Sequence, residues 1–75
     1  MTLEEQIIAA IDELWLEGDK VSLHNIWLQT THDFHEVRIA LYLMQTNKTI
    51  NVDDAGNYIQ RSKAYRRRTS GHEQS

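Results

Sequence analysis

His32 and His35 stand three positions apart with Asp33 between them, and His24 lies a short segment earlier. Imidazole and carboxylate are ligand types for a divalent metal. The chain has no cysteine and no second tightly spaced pair. Histidines beside a helix start explain the pattern more simply, so neither a metal nor another cofactor is expected. Nothing in the sequence spaces glycines as a phosphate loop does or sets a nucleophile beside a base. A chain of 75 residues leaves little room for a substrate cavity, and an enzyme is not expected.

The other chemically pointed feature is charge. Residues 1–60 carry three bases, Lys20, Arg38 and Lys48, against ten acids. Residues 61–75 carry Arg61, Lys63, Arg66, Arg67 and Arg68 against Glu73 alone. The net charge of −3 therefore hides an acidic body of −7 and a basic end of +4. Such an end either meets a polyanion or serves as a solubilising tail.

One domain must position these groups. A chain this short buries a thin core. No apolar run approaches the roughly 20 residues of a membrane span. The start, Met1-Thr2-Leu3-Glu4-Glu5, is acidic and unlike a secretory signal. The expectation is a cytoplasmic protein of a prokaryote or its virus.

A first helix is expected from Thr2 and Glu5, which have capping-box spacing. Leu3, Ile7, Ile11 and Leu14 recur at helical intervals, with Ile8 and Trp15 widening the stripe. Gly18 suits the position just past the helix end. Glu4, Glu5, Asp12, Glu13 and Glu17 lie off that stripe, so this helix shows water an acidic surface. Asp19-Lys20-Val21 reads as a connector with strand-like character. Ser22 caps a short helix over 23–29, with Leu23, Ile26 and Trp27 towards the core. Trp15 and Trp27 are read as core residues.

The stretch THDFHEVRIALYLMQTN, residues 31–47, carries the third helix, with Thr30 or Thr31 as its cap. Phe34, Val37, Leu41 and Met44 form its core stripe. At 100° per residue, His35, Arg38, Tyr42 and Gln45 form a neighbouring polar stripe, and Ile39 and Leu43 fall on a third side. Thr49-Ile50-Asn51-Val52 alternates as a half-buried strand does. Asp53-Asp54-Ala55-Gly56 is turn chemistry, and Asn57-Tyr58-Ile59-Gln60 returns. Residues 62–75 read as a basic, disordered tail.

Three helices followed by a hairpin, in EVRIALYLMQTNKTINVDDAGNYI, resemble the end of many winged helix-turn-helix domains. Val37 and Leu41 stand where such domains carry an aliphatic pair, Asn47-Lys48 at the turn, and Tyr58 at the aromatic after the wing. The resemblance covers residues 3 to about 61. It implies an α+β fold, a domain over 1–61, and a DNA-binding transcription regulator or accessory factor. Its third helix would enter the major groove of double-stranded DNA, and its wing would touch the backbone. The residues it assigns to nucleic acid are Thr31, His32, His35, Arg38, Tyr42 and Lys48, joined by Arg61, Lys63, Arg66, Arg67 and Arg68. Asn51 and Asn57 are further wing donors. Asp33, Glu36 and the Asp53-Asp54 tip oppose phosphate.

A second reading belongs to another class. A winged helix can dock a protein instead of DNA, as a homodimer or an adaptor. Ile39 and Leu43 are its partner-binding candidates if exposed. The alternative is that both pack under the hairpin.

Overall fold

The computed structural model describes residues 1–63. Arg66, Arg67, Arg68 and most of the expected tail lie outside the described residues. The described chain is α+β. It runs α1 (Leu3–Glu17), α2 (Leu23–Leu28), α3 (Phe34–Thr46), β1 (Ile50–Val52) and β2 (Tyr58–Gln60). This order, with its antiparallel hairpin, is compatible with a winged-helix layout.

Local chemistry sets the ends of α1. The Thr2 hydroxyl accepts from the Glu5 N–H at 3.1 Å, and the Glu5 carboxylate accepts from the Thr2 N–H at 2.9 Å. This is the capping box read from the sequence. Gly18 takes φ 78°, and Gly18 and Asp19 donate back to the carbonyls of Trp15 and Leu14. That pair of bonds is a Schellman ending, which needs a residue tolerant of the left-handed region. Ser22 caps α2 by accepting from the Asn25 N–H.

The cap of α3 differs from the expectation. Asp33, not Thr30 or Thr31, is the N-cap, and its carboxylate accepts from the Glu36 N–H at 2.8 Å. Threonine and aspartate both serve at this position. The choice fell to Asp33 because Thr31 is held elsewhere: its N–H and hydroxyl both donate to the Gln6 side chain on α1, at 2.9 and 3.2 Å. The helix therefore begins later than the sequence stretch suggested.

The core sits where the three helices meet the hairpin. Ile7, Ile11, Val21, Ile26, Val37, Leu41 and Ile50 are all 1 % exposed or less. Burying a side chain of this kind stabilises by about 1.5–3 kcal/mol relative to leaving it in water. Trp15 belongs to this core, while Trp27 is half-buried at its margin. Phe34, expected inside, is exposed; it meets Trp27 edge-on with ring centres 5.5 Å apart. As the first residue of α3 it lies beyond the last layer of core side chains.

β1 and β2 pair in the register Ile50↔Gln60, Asn51↔Ile59 and Val52↔Tyr58. The Asp53 carboxylate accepts from the N–H groups of Ala55 and Asn57 and closes the turn, as aspartate does in an Asx-type turn. The hairpin is tied to the helices along the outer edge of β2. The Tyr58 N–H donates to the Val21 carbonyl at 3.0 Å, and the Trp15 indole N–H donates to the Tyr58 carbonyl at 2.9 Å. Lys20 donates to the Ala55 carbonyl in the turn. The connector at 19–21, which its sequence suggested could be strand-like, is not a strand: among the described residues the sheet has two strands, and Val21 meets β2 through one backbone hydrogen bond. Among the described residues no helix is long and apolar enough to cross a membrane.

Candidate functional site

The residues assigned to nucleic acid are not gathered in one place. His35 and Arg38 form one group on α3, with a guanidinium nitrogen 3.1 Å from His35 Nδ1. A guanidinium can only donate, so Nδ1 is the acceptor in this contact. Tyr42 continues the edge one turn on and is 67 % exposed. Arg38, Ile39, Tyr42 and Gln45 line a shallow groove closed on its far side by Leu23 and Tyr58.

The turn before α3 is otherwise engaged. Thr31 is tied to Gln6. His32 Nδ1 lies 3.0 Å from the Glu36 carboxylate. Asp33 and Glu36 both stand at the helix start, where a phosphate would approach. Partial positive charge at a helix N-terminus favours anions, but two carboxylates already occupy this one. Among the described residues no three histidine or carboxylate groups gather as metal ligands: His24 lies against Trp27, His32 faces Glu36, and Asp33 caps.

The wing offers little to phosphate. Lys48 is exposed and takes φ 65° in the turn after α3. Asn51 is exposed on β1. Asn57, expected as a wing donor, is 1 % exposed. Its Oδ1 accepts from the Val21 N–H at 2.9 Å, so it stands in for a strand carbonyl and cannot turn outward. Asparagine is a normal turn residue, and nothing in its neighbours marked it as the joint between connector and hairpin.

The chain end departs from the expected direction. Arg61 is exposed and donates its backbone N–H to the Thr49 carbonyl. Lys63 then turns to α1, where its ammonium meets Asp12 at 3.2 Å. Gln60 donates to the same carboxylate at 2.7 Å. Beyond β2 the described chain thus leads to the acidic helix and not to the Arg38–Tyr42 edge. Sequence reasoning overlooked Asp12 because a surface carboxylate carries no signal of its partner.

Ile39 and Leu43 are 45 % and 51 % exposed. They do not pack under the hairpin, because Val37, Leu41 and Met44 already present the buried side of α3 to the core. With Tyr42 they make an apolar patch facing water. Around the helix the patch is flanked by Arg38 on one side and Glu36 on the other. The described residues carry ten acids against five bases.

No protein-family model, no curated protein and no solved structure matches the chain.

Proposed function

We propose that this is a winged-helix protein-interaction module whose docking face is the outer side of α3, and that its partner is a second copy of the chain. The observation that carries the reading is the exposure of Ile39 and Leu43, 45 % and 51 %, on the helix that a groove-reading domain keeps polar. Contiguous apolar surface on a small domain marks an association site. The flanking charges favour a second copy. A two-fold axis parallel to α3 brings the Arg38 edge of one helix to the Glu36 edge of the other. An isologous pair of this kind closes on itself.

The DNA-binding reading keeps one specific support, the His35–Arg38–Tyr42 edge. Its base contacts would come from His35, Arg38 and Tyr42, with Thr31, His32 and Lys48 at phosphates. Its affinity would come from Arg61, Lys63, Arg66, Arg67 and Arg68. If all five reach phosphates, binding falls with a log–log salt slope of about −4 to −5. The two readings separate in one paired experiment on the full chain. Sedimentation velocity is run over a concentration series, and fluorescence anisotropy is run with a labelled random-sequence duplex at low salt. The docking reading expects concentration-dependent dimerisation and no saturable duplex binding. A monomer at every concentration that binds duplex with the steep salt slope would overturn it.

A further inference from the structure

A second groove lies along α1, with Ile8, Ala9 and Met44 as its floor and Glu4, Glu5 and Asp12 on its rim. Arg38 and Tyr42 do not line it; they line the groove beside Tyr58. We propose that it takes the chain's own residues 64–68, with Tyr65 on the apolar floor and Arg66, Arg67 and Arg68 along Glu4 and Glu5.

Three observations carry this. The first is where the described chain ends. Lys63 is anchored on Asp12 at 3.2 Å and Gln60 on the same carboxylate at 2.7 Å, so the described chain ends beside a residue that lines the groove. The second is length. From Asp12, Ile8 lies about 6 Å back along the helix and Glu4–Glu5 about 10–12 Å, at 1.5 Å per residue. An extended chain from Lys63 covers about 7 Å to Tyr65 and about 10–17 Å to Arg66–Arg68. The third is complementarity in order. Base, aromatic and three bases in the tail meet acid, apolar floor and two acids on the helix.

Such docking partly neutralises an acidic face of the domain. It also holds the tail bases in cis, away from the Arg38–Tyr42 edge. The proposal does not depend on the docking role of α3, which concerns a different face.

The chain has no cysteine, so Ser70→Cys gives one attachment point for a nitroxide, two residues past Arg68. Amide spectra of the full, ¹⁵N-labelled chain are recorded with the nitroxide oxidised and reduced. The amides of Glu4, Glu5 and Ile8 are expected to lose most of their intensity, while those of Ile39 and Tyr42 keep theirs. Replacing Arg66, Arg67 and Arg68 together by serine is expected to restore Glu4 and Glu5. The same effect is expected at about 1 M salt, where the screening length falls to about 3 Å. The spectra themselves report whether each variant is folded. Even attenuation over the surface, or attenuation centred on Arg38 and Tyr42, would overturn the assignment. So would attenuation of a ¹⁵N chain by unlabelled chains carrying the nitroxide, since the groove would then hold another copy's tail.

Discussion

Replacing Asn57 with alanine tests how the hairpin is joined to the helices. Asn57 is 1 % exposed, and its Oδ1 accepts from the N–H of Val21, itself 0 % exposed. Alanine deletes that acceptor and leaves the Val21 N–H buried without its partner. An orphaned buried donor costs about 1–3 kcal/mol. A domain of this size holds roughly 3–9 kcal/mol in total, at about 0.05–0.15 kcal/mol per residue. One side chain therefore removes a large share of the stability. The assay is urea unfolding followed by tryptophan fluorescence. Trp15 is a suitable reporter because it is buried and donates to the adjacent Tyr58 carbonyl at 2.9 Å. With a slope near 1 kcal/mol per molar, the midpoint is expected to fall by about 1–3 M. Asn51→Ala is the control: Asn51 is exposed on the facing strand, and its change is expected to stay within about 0.5 kcal/mol. If the two variants unfold alike, Asn57 does not join connector to hairpin as described.

Other perturbations address single features. Lys48 holds φ 65°, a region that costs an L-residue about 1–2 kcal/mol, so Lys48→Gly is expected to stabilise by roughly 0.5–1 kcal/mol in the same urea assay. The Glu17 carboxyl is held above its ordinary value, first by its hydrogen bond to Glu13, then by desolvation and by the charges of Glu13 and Asp19. A raised carboxyl binds its proton more tightly in the folded chain, so its ionisation opposes folding at neutral pH, and the penalty fades as pH falls through its raised value and is gone below the ordinary carboxylate value. Glu17→Gln is therefore expected to raise the thermal midpoint at pH 7, with the gain shrinking on acidification; an equal gain at both pH values contradicts this. Thr31 donates twice to the Gln6 side chain, and Gln6→Ala is expected to quicken amide exchange at Thr31 and His32 while leaving that of Val37 unchanged.

The fold was legible where local chemistry and periodicity agreed. Thr2, Glu5 and Gly18 announce the ends of α1 by residue type, and Leu3, Ile7, Ile11 and Leu14 recur at the helical interval. The start of α3 was harder, because Thr30, Thr31 and Asp33 are all capping residues. A long-range contact with Gln6 takes Thr31 out of the choice, and spacing does not encode such contacts. The hairpin was visible in the alternation around Asp53–Gly56, but the buried role of Asn57 was not. Its residue type fits an exposed turn equally well. For the candidate site, the helical wheel separated Ile39 and Leu43 from the core stripe correctly. It could not say whether a second layer covers them, because that depends on where the hairpin folds back. The direction of the chain after Gln60 was also hidden, since it turns on the pairing of Lys63 with Asp12.

The central claim, that the outer side of α3 joins two copies, is tested most directly by sedimentation equilibrium of the full chain beside the Ile39→Ala, Leu43→Ala double variant. About half of each side chain is exposed, so docking buries roughly 0.75–1.5 kcal/mol per side chain, or about 3–6 kcal/mol over two residues in two copies. Tenfold in a binding constant is about 1.4 kcal/mol. The dimer constant of the double variant is expected to weaken by roughly two to four orders of magnitude; at chain concentrations low enough that both proteins are monomeric, its urea midpoint is expected to change little, because neither residue is in the core. A wild-type chain that stays monomeric at millimolar concentration, or a double variant that dimerises as the wild type does, would contradict the account.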